Sequence, residues 1–162
     1  MFRKAWALWF LGYPDQAAAA LEETMSKVEQ VGQDHDLAFT LAVGICPLLT
    51  LQGEFERAGV QAKRLLRLAD RKNLHHFNLY GQLILGAALV KRERTAEGQA
   101  KIRTAIGQYG ESAEKTMMSF CLSLLVDALG ADEEAGKVLD EALEWVAETG
   151  ERFLEAELWR QR

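Results

Sequence analysis

Proline, cysteine and β-branched runs are scarce in this chain, and each scarcity narrows what it can be. Only two prolines, Pro14 and Pro47, interrupt its 162 residues, so long helices meet few obstacles. The lack of β-branched runs argues against sheet, and abundant Ala, Leu, Glu, Gln and Arg argue for helix. The two cysteines, Cys46 and Cys121, lack the close spacing of a metal or redox pair and read as small core residues. Positive charge is in deficit: the net charge is -5 and the pI about 5.3, which excludes the strongly basic surface of a dedicated nucleic-acid binder. No uninterrupted run of 18 apolar residues is present to span a bilayer. Met1-Phe2-Arg3-Lys4 leads into a Trp-rich segment without an export cleavage pattern, so the expected location is the cytoplasm. Neither nucleic acid nor membrane is expected as a partner.

Catalytic patterns are missing as well. The sequence holds no phosphate-cradling Gly-rich loop, no His-Glu-x-x-His pair, no nucleophile elbow and no close Cys or His cluster. The expectation is a chain without enzyme activity, metal or cofactor. His75 and His76 are adjacent, and on a helix they point about 100° apart, so they read as a surface or helix-start pair. His35 falls in an interhelix loop and carries no signal.

What is present is a repeat. A turn followed by a helix start recurs at Gly12-Tyr13-Pro14-Asp15-Gln16-Ala17, Gly53-Glu54-Phe55-Glu56-Arg57-Ala58, Glu93-Arg94-Thr95-Ala96-Glu97-Gly98 and Gly130-Ala131-Asp132-Glu133-Glu134-Ala135. The turn residues are spaced by 41, 40 and 37. Gly32, Asn73, Gly110 and Gly150 close the helices that follow, at 20, 20, 17 and 20 residues from each turn, and Gly or Asn suits a left-handed helix stop. Between turn and stop the apolar residues keep helical spacing, as in Phe55, Ala58, Ala62, Leu65, Leu66 and Ala69. The segments before the turns, near 36–51, 75–91 and 113–129, are apolar nearly all round and need cover on more than one side. Thr95 and Asp132 are expected to cap amphipathic helices, and Asp36 and Ser112 two of the apolar ones. Pro47 is expected to kink the second apolar helix or remove a turn.

Small residues align with this register. Seven positions before each turn residue stand Ala5, Cys46, Gly86 and Ser123; five after it stand Ala17, Ala58, Gly98 and Ala135; twelve after it stand Thr24, Leu65, Ala105 and Ala142. Two helices of a hairpin can cross closely only where side chains are small. Leu65 departs from the pattern, with Ala62 nearby as compensation. With these positions the chain resembles the tetratricopeptide repeat family in a long variant of about 40 residues per unit. The resemblance implies an all-α fold: a right-handed superhelix of antiparallel helix hairpins, a TPR-like α-solenoid of about four repeats. A single domain over 1–162 is expected, with repeats near 1–32, 33–73, 74–110 and 111–150 and the start of a truncated fifth at 151–162. The stretches Ala5–Ala17 and Thr149–Arg160 are more narrowly similar to the C-terminal repeat region of large bacterial signalling proteins. Those proteins carry a class III adenylate cyclase or a DNA-binding module joined to an ATPase, as in regulators like that of the maltose regulon. The chain looks like the tail of such an architecture.

The family lines a groove with its first helices. Carried over position by position, this implies Trp6, Trp9 and Phe10, then Thr40 and Val43, then Tyr80, Leu83 and Lys91, then Met117, Phe120 and Asp127. So apolar a surface suits an amphipathic helix or an adjoining domain. The leading expectation is therefore a non-catalytic protein–protein interaction scaffold. The alternative is a small-ligand sensor that regulates a linked cyclase, ATPase or DNA-binding output domain. Aromatic residues at both ends suggest uncapped surfaces through which a homo-oligomer could form. Charge is uneven too: residues 54–103 carry 11 Lys or Arg against 5 Asp or Glu, and residues 127–157 carry 2 against 11. Lys63, Arg64, Arg67 and Arg71 form a basic stripe; Glu133, Asp140, Glu141, Glu144 and Glu148 form an acidic one. Such stripes are usually solvated outer faces, and their other use is complementary packing between chains or against an adjoining domain.

Overall fold

A computed structural model describes residues 2–110 and 117–162. Among these residues the chain forms nine helices and no strand, each helix packed against its neighbours. They are α1 (Arg3–Phe10), α2 (Pro14–Val31), α3 (Asp34–Leu51), α4 (Phe55–Lys72), α5 (Asn78–Val90), α6 (Thr95–Gly110), α7 (Met118–Leu129), α8 (Glu133–Thr149) and α9 (Glu155–Gln161), with a 3₁₀ turn at His75–Phe77 between α4 and α5. The chain divides into two compact units, Met1–Leu85 and Gly86–Arg162.

The repeat register is written into the backbone. Gly12, Gly53, Glu93 and Gly130 all adopt positive φ, at 81°, 78°, 63° and 65°; the first three also donate their amides three residues back, whereas Gly130 has ψ -129° and donates four residues back. Glu93 adopts positive φ with a side chain, at a steric cost that glycine avoids. Gly32, Asn73 and Gly150 stop α2, α4 and α8 in the left-handed conformation. Gly110 is the last residue of α6, and Ser112 lies outside the described residues.

The twelve small-residue positions are all buried. Ala5, Cys46, Ala17, Ala58, Leu65 and Ala142 are completely enclosed, and Thr24 satisfies its buried hydroxyl by donating to the Ala20 carbonyl at 2.8 Å. In the second unit a Cβ on Gly86 would sit 2.8 Å from the Gly98 carbonyl oxygen, so α5 and α6 cross backbone to backbone. Leu65 shows that a large residue fits one of these sites, and its complete burial contributes about 1.5–3 kcal/mol. The apolar helices are covered as their composition requires: in α7 every residue from Met118 to Val126 is buried.

Successive second helices are joined inside each unit by ion-pair rungs, and in the first unit two rungs in register show that α2 and α4 run parallel. In the first unit Arg57 of α4 reaches Glu22 of α2, and Arg64 reaches Glu29 at 2.6 Å, the same sequence separation of 35 in both. In the second unit Arg103 of α6 pairs with Glu134 of α8. These rungs are exposed and individually worth little. They do fix which helical faces meet.

Three expected details differ. Asp36 lies inside the first turn of α3, not at its cap, which is Gln33 without a side-chain hydrogen bond. Thr95 is the first residue of α6, while Asp132 caps α8 as expected by accepting from the Glu134 amide at 2.9 Å. At Pro47 no turn is removed, since the helix continues from Asp34 to Leu51. The helix widens to a π turn over Leu41–Ile45, with the Cys46 amide donating to the Leu41 carbonyl five residues back, immediately before the residue that has no N–H.

That widened turn is where α1 docks. Trp6 donates its indole N–H to the Gly44 carbonyl at 3.2 Å, and a Cβ on Gly44 would lie 2.6 Å from the Phe2 ring. α3 is also 18 residues long with mean hydropathy 1.3, enough by length and composition to cross a bilayer, yet 61% of it is buried within the fold.

Candidate protein-interaction surface

The eleven residues expected on the groove separate into three groups. Thr40, Leu83 and Phe120 are buried at 7%, 2% and 2% exposure and belong to the core. Trp6, Trp9, Val43, Tyr80 and Met117 are half-buried; Phe10, Lys91 and Asp127 are exposed. On a helix apolar all round, periodicity does not distinguish the face turned to a neighbour from the face turned outward, so Thr40, Leu83 and Phe120 were open to either assignment.

In the first unit the aromatic residues gather at α1. The Trp6 and Phe10 rings lie 5.6 Å apart, and Phe2 and Phe39 lie 5.9 Å apart. Phe10 is 48% exposed, Leu11 69%, Tyr13 51% and Phe39 45%, so large apolar side chains meet water at the end of α1, in the turn after it and on α3. Leu11, Tyr13 and Phe39 were not expected here. In the sequence Tyr13 falls in a turn and Phe39 in a continuous apolar run, so neither carries a local mark of exposure.

In the second unit Asp127 accepts a hydrogen bond from Gln161 at 2.9 Å, and Gln161 also donates to the Ser123 carbonyl at 3.3 Å. Asp127 thus helps hold α9 on α7. Met117 is in the left-handed region at φ 77° and donates its amide to Glu151 at 3.1 Å. Glu151 is the residue that sequence reasoning missed: it also accepts from the Ser119 amide at 3.1 Å, the Ser119 hydroxyl and the Trp145 indole at 3.2 Å. One carboxylate gathers the otherwise unsatisfied donors at the start of α7 and ties them to the loop after α8. Its partners lie up to 34 residues away, beyond the reach of any local signal.

Ionisable chemistry elsewhere is subdued. Burial pushes the thiols of Cys46 and Cys121 far up, away from the thiolate. The hydrogen bond from Arg103 lowers the Glu134 carboxyl, and the carboxylates of Glu54 and Glu22 raise the Arg57 guanidinium. His35 lies in the first turn of α3, not in a loop, with its ring 6.0 Å from His76 and 5.5 Å from Phe77. Among the described residues no group of three or more His, Cys, Asp or Glu is placed to hold a metal.

Geometry of this kind defines a helical protein whose described polar contacts are mostly structural and which exposes large apolar side chains at Phe10, Leu11, Tyr13, Phe39, Val60 and Trp159. No protein-family model, curated protein or solved structure matches the chain.

Proposed function

We propose that this chain is a non-catalytic protein-interaction scaffold of tetratricopeptide type, and that the aromatic edge of its first unit receives an amphipathic helix from a partner protein or an adjoining domain. The observation that carries the reading is the exposure of Phe10, Leu11 and Tyr13 at the end of α1 and the turn after it, on the helix whose Trp6 and Trp9 are half-buried, with Phe39 exposed on α3. Water contact with these apolar side chains is unfavourable by about 25 cal/mol per Å² and would be relieved by a partner. The positive φ at all four turn residues, with the same hydrogen-bond pattern at the first three, supports a superhelical array, and such an array, acting in the cytoplasm as the interaction part of a bacterial signalling protein, would present first helices on one face.

The test is affinity capture followed by mass spectrometry, run in parallel with wild type and a Phe10→Ser, Tyr13→Ser variant. Both residues are half exposed, so the variant keeps its fold, checked by circular dichroism. A protein held by wild type and lost by the variant supports the reading. Equal capture by both would move the surface elsewhere. Capture of nothing, together with a melting temperature raised by a small metabolite, would favour the sensor of a linked output domain instead.

A further inference from the structure

The outer faces of α4 and α8 occupy the same places in the repeat and carry opposite charge. Counted from the turn residues Gly53 and Gly130, positions 10, 11, 14 and 18 are Lys63, Arg64, Arg67 and Arg71 on α4, and Asp140, Glu141, Glu144 and Glu148 on α8. Seven of the eight are exposed, and Arg64 is half-buried against Glu29. Asp140 lies 3.6 Å from Arg162. Lys63, Arg67, Glu141, Glu144 and Glu148 form no ion pair among the described residues.

The difference from the paired positions is informative. Arg64 has Glu29 on the neighbouring helix in its unit, whereas the residue corresponding to Glu29 in the second unit is Gly110, which leaves Glu141 without that rung. The rungs themselves alternate in sign: Glu22 faces Arg57 in the first unit, and Arg103 faces Glu134 at the corresponding positions in the second. Ion pairs between neighbouring second helices are thus already part of how this chain packs. The stripes on α4 and α8 repeat that complementarity without a partner for most of their members.

We propose that the basic stripe of α4 docks on the acidic stripe of α8 of a second copy of this chain. The stripes are centred on Arg67 and Glu144, with charged neighbours three or four residues to either side, so opposite signs meet whether the two helices run parallel or antiparallel. Exposed ion pairs are weak singly and act on orientation and on-rate. A set in register gives a reversible, salt-sensitive contact rather than a permanent one. Because it uses second helices and none of the aromatic edge, it stands or falls separately from the partner surface proposed above.

Sedimentation velocity of the whole chain at about 50 mM and about 500 mM salt tests the contact, since screening shortens to a few ångströms over that range. Association at low salt, weakened at least about tenfold at high salt, is expected. Lys63→Glu with Arg67→Glu abolishes it, and Glu144→Lys with Glu148→Lys abolishes it separately. Mixing these two variants restores it, because the untouched acidic stripe of one then meets the untouched basic stripe of the other. A monomer at every salt concentration overturns the proposal. So does association that persists in either double variant, or a wild type that remains monomeric while its basic stripe binds heparin.

Discussion

The carbonyl oxygen of Gly98 lies 2.8 Å from the point where a side chain on Gly86 would begin, and the carbonyl oxygen of Gly86 lies 2.6 Å from the corresponding point on Gly98. Neither obstacle is a flexible side-chain end, so neither can yield cheaply. Gly86→Ala or Gly98→Ala should therefore destabilise the second unit by about 1–3 kcal/mol through overpacking. Gly107 and Gly136 are the controls: they lie inside α6 and α8 with nothing within 4 Å of an added Cβ. Alanine there should stabilise by about 0.5–1 kcal/mol from helix propensity. Urea melts of the four variants check both signs.

Glu93 takes the positive-φ turn position that glycine holds in the other three repeats. Replacing it with glycine removes a steric penalty of about 1–2 kcal/mol, offset by roughly 0.5–1 kcal/mol of added chain entropy in the unfolded state. Glu93→Gly should leave stability unchanged or raise it slightly. Gly53→Ala, at φ 78°, should lower it by about 1 kcal/mol or more. A melt in which Glu93→Gly loses as much as Gly53→Ala would contradict the equivalence of the turns.

Glu151 serves four donors around the start of α7. Glu151→Ala leaves the Met117 and Ser119 amides without their acceptor and should cost about 2–4 kcal/mol, while Glu151→Gln keeps one acceptor oxygen and should cost about half as much. Amide hydrogen exchange at residues 117–121 should speed up more than exchange in α4. Uniform acceleration across the chain would show that Glu151 has no local role.

Cys46 and Cys121 are both fully enclosed, and burial disfavours their thiolates. The folded protein should resist a maleimide at neutral pH and label twice in denaturant, as counted by mass. Rapid labelling of the folded chain at either site would mean that α3 or α7 opens readily.

Arg103 lowers the Glu134 carboxyl. With a folded pKa below the unfolded one, the stabilisation is present above the ordinary carboxylate range and disappears as pH falls through the lowered value. Arg103→Met should flatten that part of the acid limb of a stability–pH curve and leave neutral stability little changed, because the pair is exposed. An unchanged acid limb would indicate that the pair does not persist in solution.

The helices, their turns and their close contacts were determined by the sequence alone, because each follows from local chemistry. Gly12, Gly53 and Gly130 supply positive φ, Asn73 and Gly150 stop helices, and small residues recur where helices cross. Tertiary structure decided everything that depends on who faces whom. Phe120 and Leu83 are core while Phe10 is exposed, a distinction invisible in an apolar run because burial depends on neighbours brought from elsewhere in the chain. The π turn before Pro47 arises where a missing amide meets the helix that receives Trp6. Glu151 reaches donors more than 30 residues away, and hydrogen bonds of that range leave no periodic trace in a sequence.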